Sequence, residues 1–201
     1  GTRAGNGVII ITTKSGSRSK KIGVSVSSST LFEKPYRYLD FHYKYANGGR
    51  NSTLDEGSAY WGGPELDAGI IAQQFGYDQP TELRSYPDNM KNFLQTGITS
   101  TNNVAVSGGS ENADFRISYS NMSMQGMVPN SDRYNNSLKT NINYTLFDNL
   151  TFNGNVTLAR TNSNDIPSIG DRRNNPVQAV YESSYIDIAL FEDYWEPGQE
   201  G

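Results

Sequence analysis

Five stretches of this chain alternate between apolar and polar residues, and that pattern limits the folds open to it. A period of two is the period of a β-strand, whose successive side chains point to opposite faces of a sheet. The apolar members are Ile22, Val24 and Val26; Val104 and Val106; Phe115, Ile117 and Tyr119; Leu138, Ile142, Tyr144 and Leu146; and Leu150, Phe152, Val156 and Leu158. We therefore predict an all-β chain of antiparallel strands, each with one apolar and one polar face. The four later strands are expected near 102–109, 113–121, 134–146 and 150–160.

The connections between these strands alternate in length. Long segments follow the first, third and fifth strands, at 31–100, at 122–133 and from 162 onward, whereas short turns at 110–112 and 147–149 follow the second and fourth. Outer-membrane barrels show this asymmetry, with short turns on the periplasmic side and long loops outside. A soluble antiparallel sandwich has the same alternation in its strands, so the periodicity leaves both architectures open. The long first connection favours the barrel, since compact domains rarely contain connections above about 15 residues.

Composition fits a barrel better than either a packed soluble domain or a disordered chain. Hydrophobic residues make up 35% of the sequence, which is low for a soluble core, yet 13 tyrosines, 8 phenylalanines and 2 tryptophans argue against disorder. A barrel with an apolar band facing lipid and a polar interior explains both observations. No run of about 18 apolar residues is present, so we predict no transmembrane helix. The lack of cysteine excludes disulfides and thiolate metal sites.

The start of the chain differs from the rest. A β-branched apolar run at 8–13 follows Gly-Asn-Gly and predicts a buried strand, whereas residues 14–21 are rich in Ser, Gly, Lys and Arg. The first 50 residues contain nine of the 17 basic residues and two of the 21 acidic ones. We interpret this as a solvated linker, because an isolated basic cluster is a weak signal for nucleic acid. A domain boundary is expected here.

Several segments resemble one family of transporters. The opening, Gly-Thr-Arg-Ala-Gly-Asn-Gly-Val-Ile-Ile-Ile-Thr-Thr-Lys, resembles the G-[ST]-R-A-x-N-G-V-I-x-I-T-T-K stretch that ends the plug domain in the SusC/RagA family of TonB-dependent outer-membrane transporters. The segment 60–67 is similar to the family's W-G-P-x-x-D stretch, with one extra glycine. Further segments that resemble the family are 87–97, 103–109, 115–119, 125–131 and Asn175, Pro176 and Tyr181.

The resemblance implies a fragment of a transmembrane β-barrel. On this basis residues 1–16 end a plug domain, 17–21 are a linker and 22–201 are about five strands of a 22-stranded barrel, with extracellular loops at 31–100, 122–133 and 162–201. The family's remaining plug and barrel are expected outside this sequence. The implied function is TonB-dependent import of oligosaccharides or peptides across the outer membrane of a Gram-negative bacterium. The implied partners are a SusD-like lipoprotein lid, the TonB energy-transducing complex and outer-membrane lipid, without nucleic acid or cofactor.

Two groups of residues are candidate contacts within this architecture. The lumen-facing candidates share the polar faces of two strands: Arg116, Lys139, Asn141 and Asn143. The candidates for substrate or lid contact share the long first loop and an aromatic ring: Tyr36, Tyr38, Tyr60 and Trp61. Aromatic rings are also typical of the belt at a membrane interface, which is the alternative interpretation of this cluster.

The long loop 31–100 is expected to be ordered by contact with other parts or with a partner. Its apolar stretches, Ile70–Ala72 and Met90–Leu94, indicate one or two short helices but little surface to bury. Ordering each residue costs roughly 1–2 kcal/mol, which such stretches do not offset. We therefore predict that this loop has no core of its own.

The sequence offers no catalytic constellation. His42 is the single histidine, and zinc sites and serine triads need partners that converge on such a residue. The acidic pairs Glu65 with Asp67 and Glu192 with Asp193 indicate solvated loop carboxylates, and 163–165 lacks the ligand spacing of an EF-hand. We predict neither an enzyme nor a metal site. The alternatives to an importer are a passive porin-like barrel and a soluble β-sandwich that binds glycans.

Overall fold

The computed structural model describes residues 14–18, 21–49, 52–164, 167 and 175–191. The strand predicted at 8–13 lies outside these residues. The elements in chain order are β1 Gly23–Glu33, β2 Ile71–Ala72, β3 Thr81–Glu82, α1 Asn89–Phe93, β4 Gly97–Gly109, β5 Ala113–Gln125, β6 Asp132–Phe147, β7 Leu150–Asn164, α2 Pro176–Glu182 and the 3-10 helix Ile188–Phe191. In this part of the chain, no helix has the length and apolar character needed to cross a membrane.

The main sheet has five strands in the order β1-β4-β5-β6-β7. Strands β4 to β7 form an antiparallel meander, in which each strand pairs with the next one along the chain. The predicted all-β antiparallel fold is confirmed, and each of the four predicted later strands is present. The observed strands extend a few residues beyond the predicted bounds at most ends. Backbone hydrogen bonds between neighbouring strands continue there, into segments whose side chains no longer alternate.

Short local interactions set the turns of the meander. The backbone N–H of Ser110 donates to the carbonyl oxygen of Ala113 at 2.7 Å and closes the β4–β5 hairpin. An Asp-Asn pair forms the two-residue turn between β6 and β7. The connection between β5 and β6 contains Asn130 at φ 62°, a left-handed backbone conformation that asparagine tolerates better than most residues.

The chain divides into two compact units. The sheet unit comprises Thr99–Met124 and Arg133–Asn162 with the described part of Gly1–Thr30. The loop unit comprises Leu31–Ile98 and Gln125–Asp132 with the described part of Ser163–Gly201. Within the loop unit, the backbone and side-chain amides of Gln95 donate to the carbonyls of Met127 and Gly126, both at 2.9 Å.

The loop unit has two buried clusters. Ala46, Leu66, Leu83 and Tyr185 form the first, and Met90, Val180 and Tyr181 form the second. Complete burial of a side chain such as Leu83 contributes about 1.5–3 kcal/mol. Loop 31–100 therefore contributes buried residues to both clusters, which the prediction of no core did not anticipate. The segment after β7 supplies three of the seven buried residues, so the loop is ordered by contact with another part of the chain, as predicted. No periodicity within 31–100 signals which segment that is.

The two predicted helical stretches have different outcomes. The helix at Met90–Leu94 is confirmed as α1. Ile70–Ala72 is not a helix, since Ile71 and Ala72 form β2 and pair antiparallel with Glu82 and Thr81 of β3. A three-residue apolar stretch does not distinguish helix from strand, and here the pairing partner decides.

The extra glycine in the Trp-Gly-Gly-Pro segment has a structural reason. The N–H of Gly63 donates to the carbonyl of Ala46 at 3.1 Å, and Gly62 donates to that of Gly48 at 3.2 Å. A Cβ atom at Gly63 would lie 2.8 Å from the carbonyl oxygen of Ala46, and one at Gly48 would lie 2.6 Å from the Cα of Gly63. Two backbone segments meet so closely here that side chains at these glycines would separate them.

Asn89 joins α1 to the segment that follows α2. Its side-chain amide donates to the carbonyls of Ser183 at 3.2 Å and Ile186 at 2.7 Å, and its Oδ1 accepts from the N–H of Ile188 at 3.2 Å. The residue is 3% exposed. Because water has little access, these three backbone groups depend on the one side chain.

We predict that Asn89→Ala destabilises the loop unit by about 1–3 kcal/mol, because it leaves buried backbone groups without partners. Hydrogen exchange across 175–191 of the full-length protein should accelerate accordingly. Asn92→Ala, an exposed position in the same helix, serves as the control and should leave exchange unchanged. Equal protection of 175–191 in both variants would contradict the role of Asn89.

Candidate functional site

The polar face of the main sheet contains a cavity of about 500 Å³. Arg116, Lys139 and Asn141 line it together with Lys14 and several serine and asparagine side chains of β1, β4 and β5. Three of the four lumen candidates thus share one cavity, while the fourth, Asn143, donates to Asp114 at 2.8 Å on the same face. The positions follow from strand parity, since all four occupy the polar side of β5 or β6.

Side chains form a hydrogen-bonded row across three strands of this face. Asn103 of β4 donates from Nδ2 to Ser27 Oγ of β1 at 3.4 Å and accepts from Ser120 Oγ of β5. Small hydroxyl and amide groups satisfy one another here without large apolar contacts. The face is therefore suited to water and polar solutes instead of a packed core.

Segment 14–18 crosses the polar face of the sheet. Asn141 donates to the Lys14 carbonyl at 2.8 Å, and Arg18 donates to Thr145 Oγ1 at 3.2 Å and lies 3.8 Å from the Asp114 carboxylate. A Cβ atom at Gly16 would lie 2.7 Å from the backbone nitrogen of Phe115, so the segment approaches the sheet backbone closely. The part of the chain predicted to join plug and linker is fixed against the sheet at these points.

The opposite face of the sheet is apolar and open. Eleven of its large side chains on β4 to β7 are between 40% and 62% exposed: Val104, Ile117, Tyr119, Leu138, Ile142, Tyr144, Leu146, Leu150, Phe152, Val156 and Leu158. They lie on four neighbouring strands and form one continuous surface. Soluble monomers rarely expose an apolar patch of this extent.

The four aromatic candidates of the loop unit fall into two pairs. Tyr36 and Tyr60 are exposed. Trp61 packs edge-on against Phe41 with ring centroids 5.1 Å apart, and Tyr38 packs on the second buried cluster. Tyr36 and Tyr60 can therefore meet a ligand or partner directly, while Tyr38 and Trp61 chiefly support the fold of the loop unit.

The charged residues considered for catalysis have structural partners. Glu65 pairs with Lys44 at 3.6 Å, and Asp67 accepts from the hydroxyl of Ser85 at 2.6 Å and from its N–H at 3.1 Å. These two bonds lower the pKa of Asp67. His42 is exposed and stacks on Tyr45, with centroids 5.7 Å apart. Glu192 and Asp193 lie outside the described residues, and within those residues no cluster of His, Cys, Asp and Glu could hold a metal.

Asp114 and Arg18 are functional candidates that sequence reasoning missed. Asp114 is 7% exposed and holds both Asn143 and Arg18. Strand parity could have revealed Asp114, because it precedes Phe115 on the polar side of β5. Arg18 gave no such signal, since the partner of a linker residue depends on tertiary structure.

Comparison with known proteins gives one informative similarity. The chain is 29% identical over 158 residues to the TonB-dependent receptor SusC of Bacteroides thetaiotaomicron. The match covers 78% of this chain and 14% of that receptor, so the chain spans a small part of the relative's length. No family model matches the sequence.

We predict that Asp114→Ala weakens the contact between β5 and β6 by about 1–3 kcal/mol, because the Asn143 amide loses a buried acceptor. The ion pair with Arg18 adds little, since the Arg18 side chain is half exposed, so segment 14–18 should change less. Hydrogen exchange in β5 and β6 around Asp114 and Asn143 of the full-length protein should accelerate in Asp114→Ala and stay unchanged in Asp148→Ala, which removes the same charge from an exposed turn. Unchanged exchange in both variants would contradict this role of Asp114.

Proposed function

We propose that this chain is part of the barrel wall of a TonB-dependent outer-membrane importer. The observation that carries the proposal is the two-faced sheet, with a continuous exposed apolar surface on one side and a polar, cavity-lined surface on the other. Lipid and a water-filled lumen are the two environments that match these faces. The similarity to a TonB-dependent receptor supports the same conclusion.

Strand length is compatible with a membrane crossing. Strands β4 to β7 have 13 to 16 residues. At about 3.3 Å per residue and a tilt near 45°, they span roughly 30–37 Å, which is enough for a hydrocarbon layer of about 30 Å. Lateral pairing within the sheet satisfies the backbone groups that lipid cannot solvate.

The direction of the chain supports an outward position for the long connections. Because the strands run antiparallel, the connections 34–96 and 126–131 and the chain after Asn164 all leave one end of the meander. The two tight turns leave the other end. Outer-membrane barrels place long loops outside and short turns in the periplasm, so 34–96 would lie on the extracellular side.

The polar face would line the lumen beside a plug. Segment 14–18 already lies on that face, which is where the chain must run if a plug domain precedes it inside a barrel. Arg116, Lys139, Asn141 and Asn143 are the lumen residues on this proposal. Energy for movement of the plug would come from the TonB complex, through parts of the protein outside this sequence.

Tyr36 and Tyr60 are the proposed contacts for an oligosaccharide or peptide substrate or for a SusD-like lipoprotein lid. Both rings are exposed on the loop unit, whose buried clusters would hold them in place. Exposed aromatic rings stack on sugars and pack at protein interfaces, and Tyr adds a hydroxyl for hydrogen bonding.

We predict that Ile142→Arg in the full-length protein blocks assembly in the outer membrane. Arginine on a lipid face near the bilayer midplane costs roughly 2–4 kcal/mol, whereas the lumen tolerates it. Asn153→Arg places the same side chain on the polar face of β7 and is the matched control. Assembly is measured as heat-modifiable mobility in membrane fractions. Equal assembly of both variants would contradict a lipid-facing surface and favour a soluble sheet.

We predict that the double variant Tyr36→Ala/Tyr60→Ala assembles normally and loses roughly tenfold or more in substrate uptake or lid affinity, the effect typical of aromatic contacts. Leu39→Ala removes another exposed apolar side chain of the loop unit and serves as the control. Uptake and co-purification of the lid are measured in cells. If neither changes in the double variant, these tyrosines do not contact substrate or partner.

A further inference from the structure

The cavity on the polar face combines three cationic side chains with hydroxyl and amide groups. Lys14, Arg116 and Lys139 line it, and among the described residues no Asp or Glu does. We refer to it as the cationic wall cavity. Its charge is unusual for a chain whose net charge is −4. An excess of cations in one cavity of an acidic protein indicates a preference for anions there.

The positions of Arg116 and Lys139 follow from the register of β5 and β6. The hydrogen bond between Asn143 and Asp114 indicates that Asp114 of β5 lies opposite Asn143 of β6. In an antiparallel pair with this register, Arg116 lies opposite Asn141, and Ser118 lies opposite Lys139. Arg116 and Lys139 are therefore diagonal neighbours on one face, about 7–8 Å apart at Cα. Long side chains at that spacing can reach the same group.

The carboxylate nearest in sequence to this pair is already engaged. Asp114 accepts from Asn143 at 2.8 Å and lies 3.8 Å from Arg18. No described acidic side chain forms an ion pair with Arg116 or Lys139. Two cations on adjacent strands repel each other unless an anion joins them.

We propose that the cationic wall cavity binds an oxyanion, a carboxylate or a sulfate, between Arg116 and Lys139. A guanidinium donates to such a group through two parallel N–H bonds, and an ammonium adds a third charged donor. Ser118 and Ser120 line the same cavity and supply hydroxyl donors. The assignment of this oxyanion to the transport path rests on the proposed function, because only a lumen would admit a solute to this face.

The oxyanion has two possible sources with the same chemistry. One is an acidic solute that passes along the wall, such as a sulfated or uronic-acid-containing oligosaccharide. The other is a carboxylate from another part of the same full-length protein, such as a plug domain. If the oxyanion belongs to a solute, the affinity of the protein for that solute depends on Arg116 and Lys139. If it is an internal carboxylate, the stability of the full-length protein depends on them.

The test uses the assembled full-length protein purified in detergent, with a sulfated tetrasaccharide and its desulfated counterpart as probes. Calorimetric titration gives the affinity, and the loss of heat-modifiable mobility with temperature gives the stability. The variants are Arg116→Gln, Lys139→Gln and both together. The double variant Lys34→Gln/Arg133→Gln removes the same charge elsewhere, since both side chains are exposed and outside the cavity.

If the oxyanion comes from a solute, the sulfated probe binds the wild type and the control variant with equal affinity. The Arg116→Gln/Lys139→Gln variant then binds this probe roughly tenfold or more weakly. The desulfated probe binds all three proteins with the same affinity. An internal carboxylate predicts lower stability of that double variant alone, with binding unchanged. Either result supports the oxyanion site. Unchanged affinity and stability in the double variant overturn it. The proposed function fails separately, through normal assembly of Ile142→Arg.

Discussion

Backbone pairing between neighbouring strands is the constraint on which the rest of this structure depends. Backbone N–H and C=O groups of a strand point sideways within the sheet, so neither face supplies their partners. Each strand must therefore pair laterally with another strand. Strands β4 to β6 have neighbours on both sides, whereas β1 and β7 each have one free edge in the described chain. Edges of this kind are protected by further strands, by a covering loop or helix, or by charged side chains.

The loop unit shows how long connections become ordered without regular structure. Segments that are remote in sequence share its two buried clusters, so neither 34–96 nor 175–191 forms the core alone. Hydrogen bonds from buried side chains such as Asn89 hold these segments together. Within 34–96, the lack of side chains at Gly48 and Gly63 allows two backbone segments to approach closely. The exposed ring of Tyr36 belongs to a unit that these contacts hold together.

Much of the sheet could be predicted from the sequence because strand periodicity is a local signal. The apolar side chains on β6 and β7, such as Ile142 and Phe152, occupy one face as their spacing indicates. Grouping Arg116 with Lys139 on the polar face also needed only parity and strand order. The cavity that joins them to Lys14 was not predictable, since the path of segment 14–18 is set by tertiary contacts. Tyr185 was missed for the same reason, because its burial requires partners that lie about a hundred residues earlier, such as Leu83.

The pairing of β1 with β4 has a consequence for the order in which the chain acquires structure. The hairpins β4–β5, β5–β6 and β6–β7 each close over a few residues, whereas β1 and β4 are separated by positions 34–96. Closing that longer gap costs about 3 kcal/mol more in chain entropy than closing a tight turn. The effective gap is shorter when contacts within Leu31–Ile98 form before the strands meet. The meander is therefore expected to form first, and the pairing of β1 with β4 is expected to be the slowest step. The rate of that step depends on how early the intervening segment collapses.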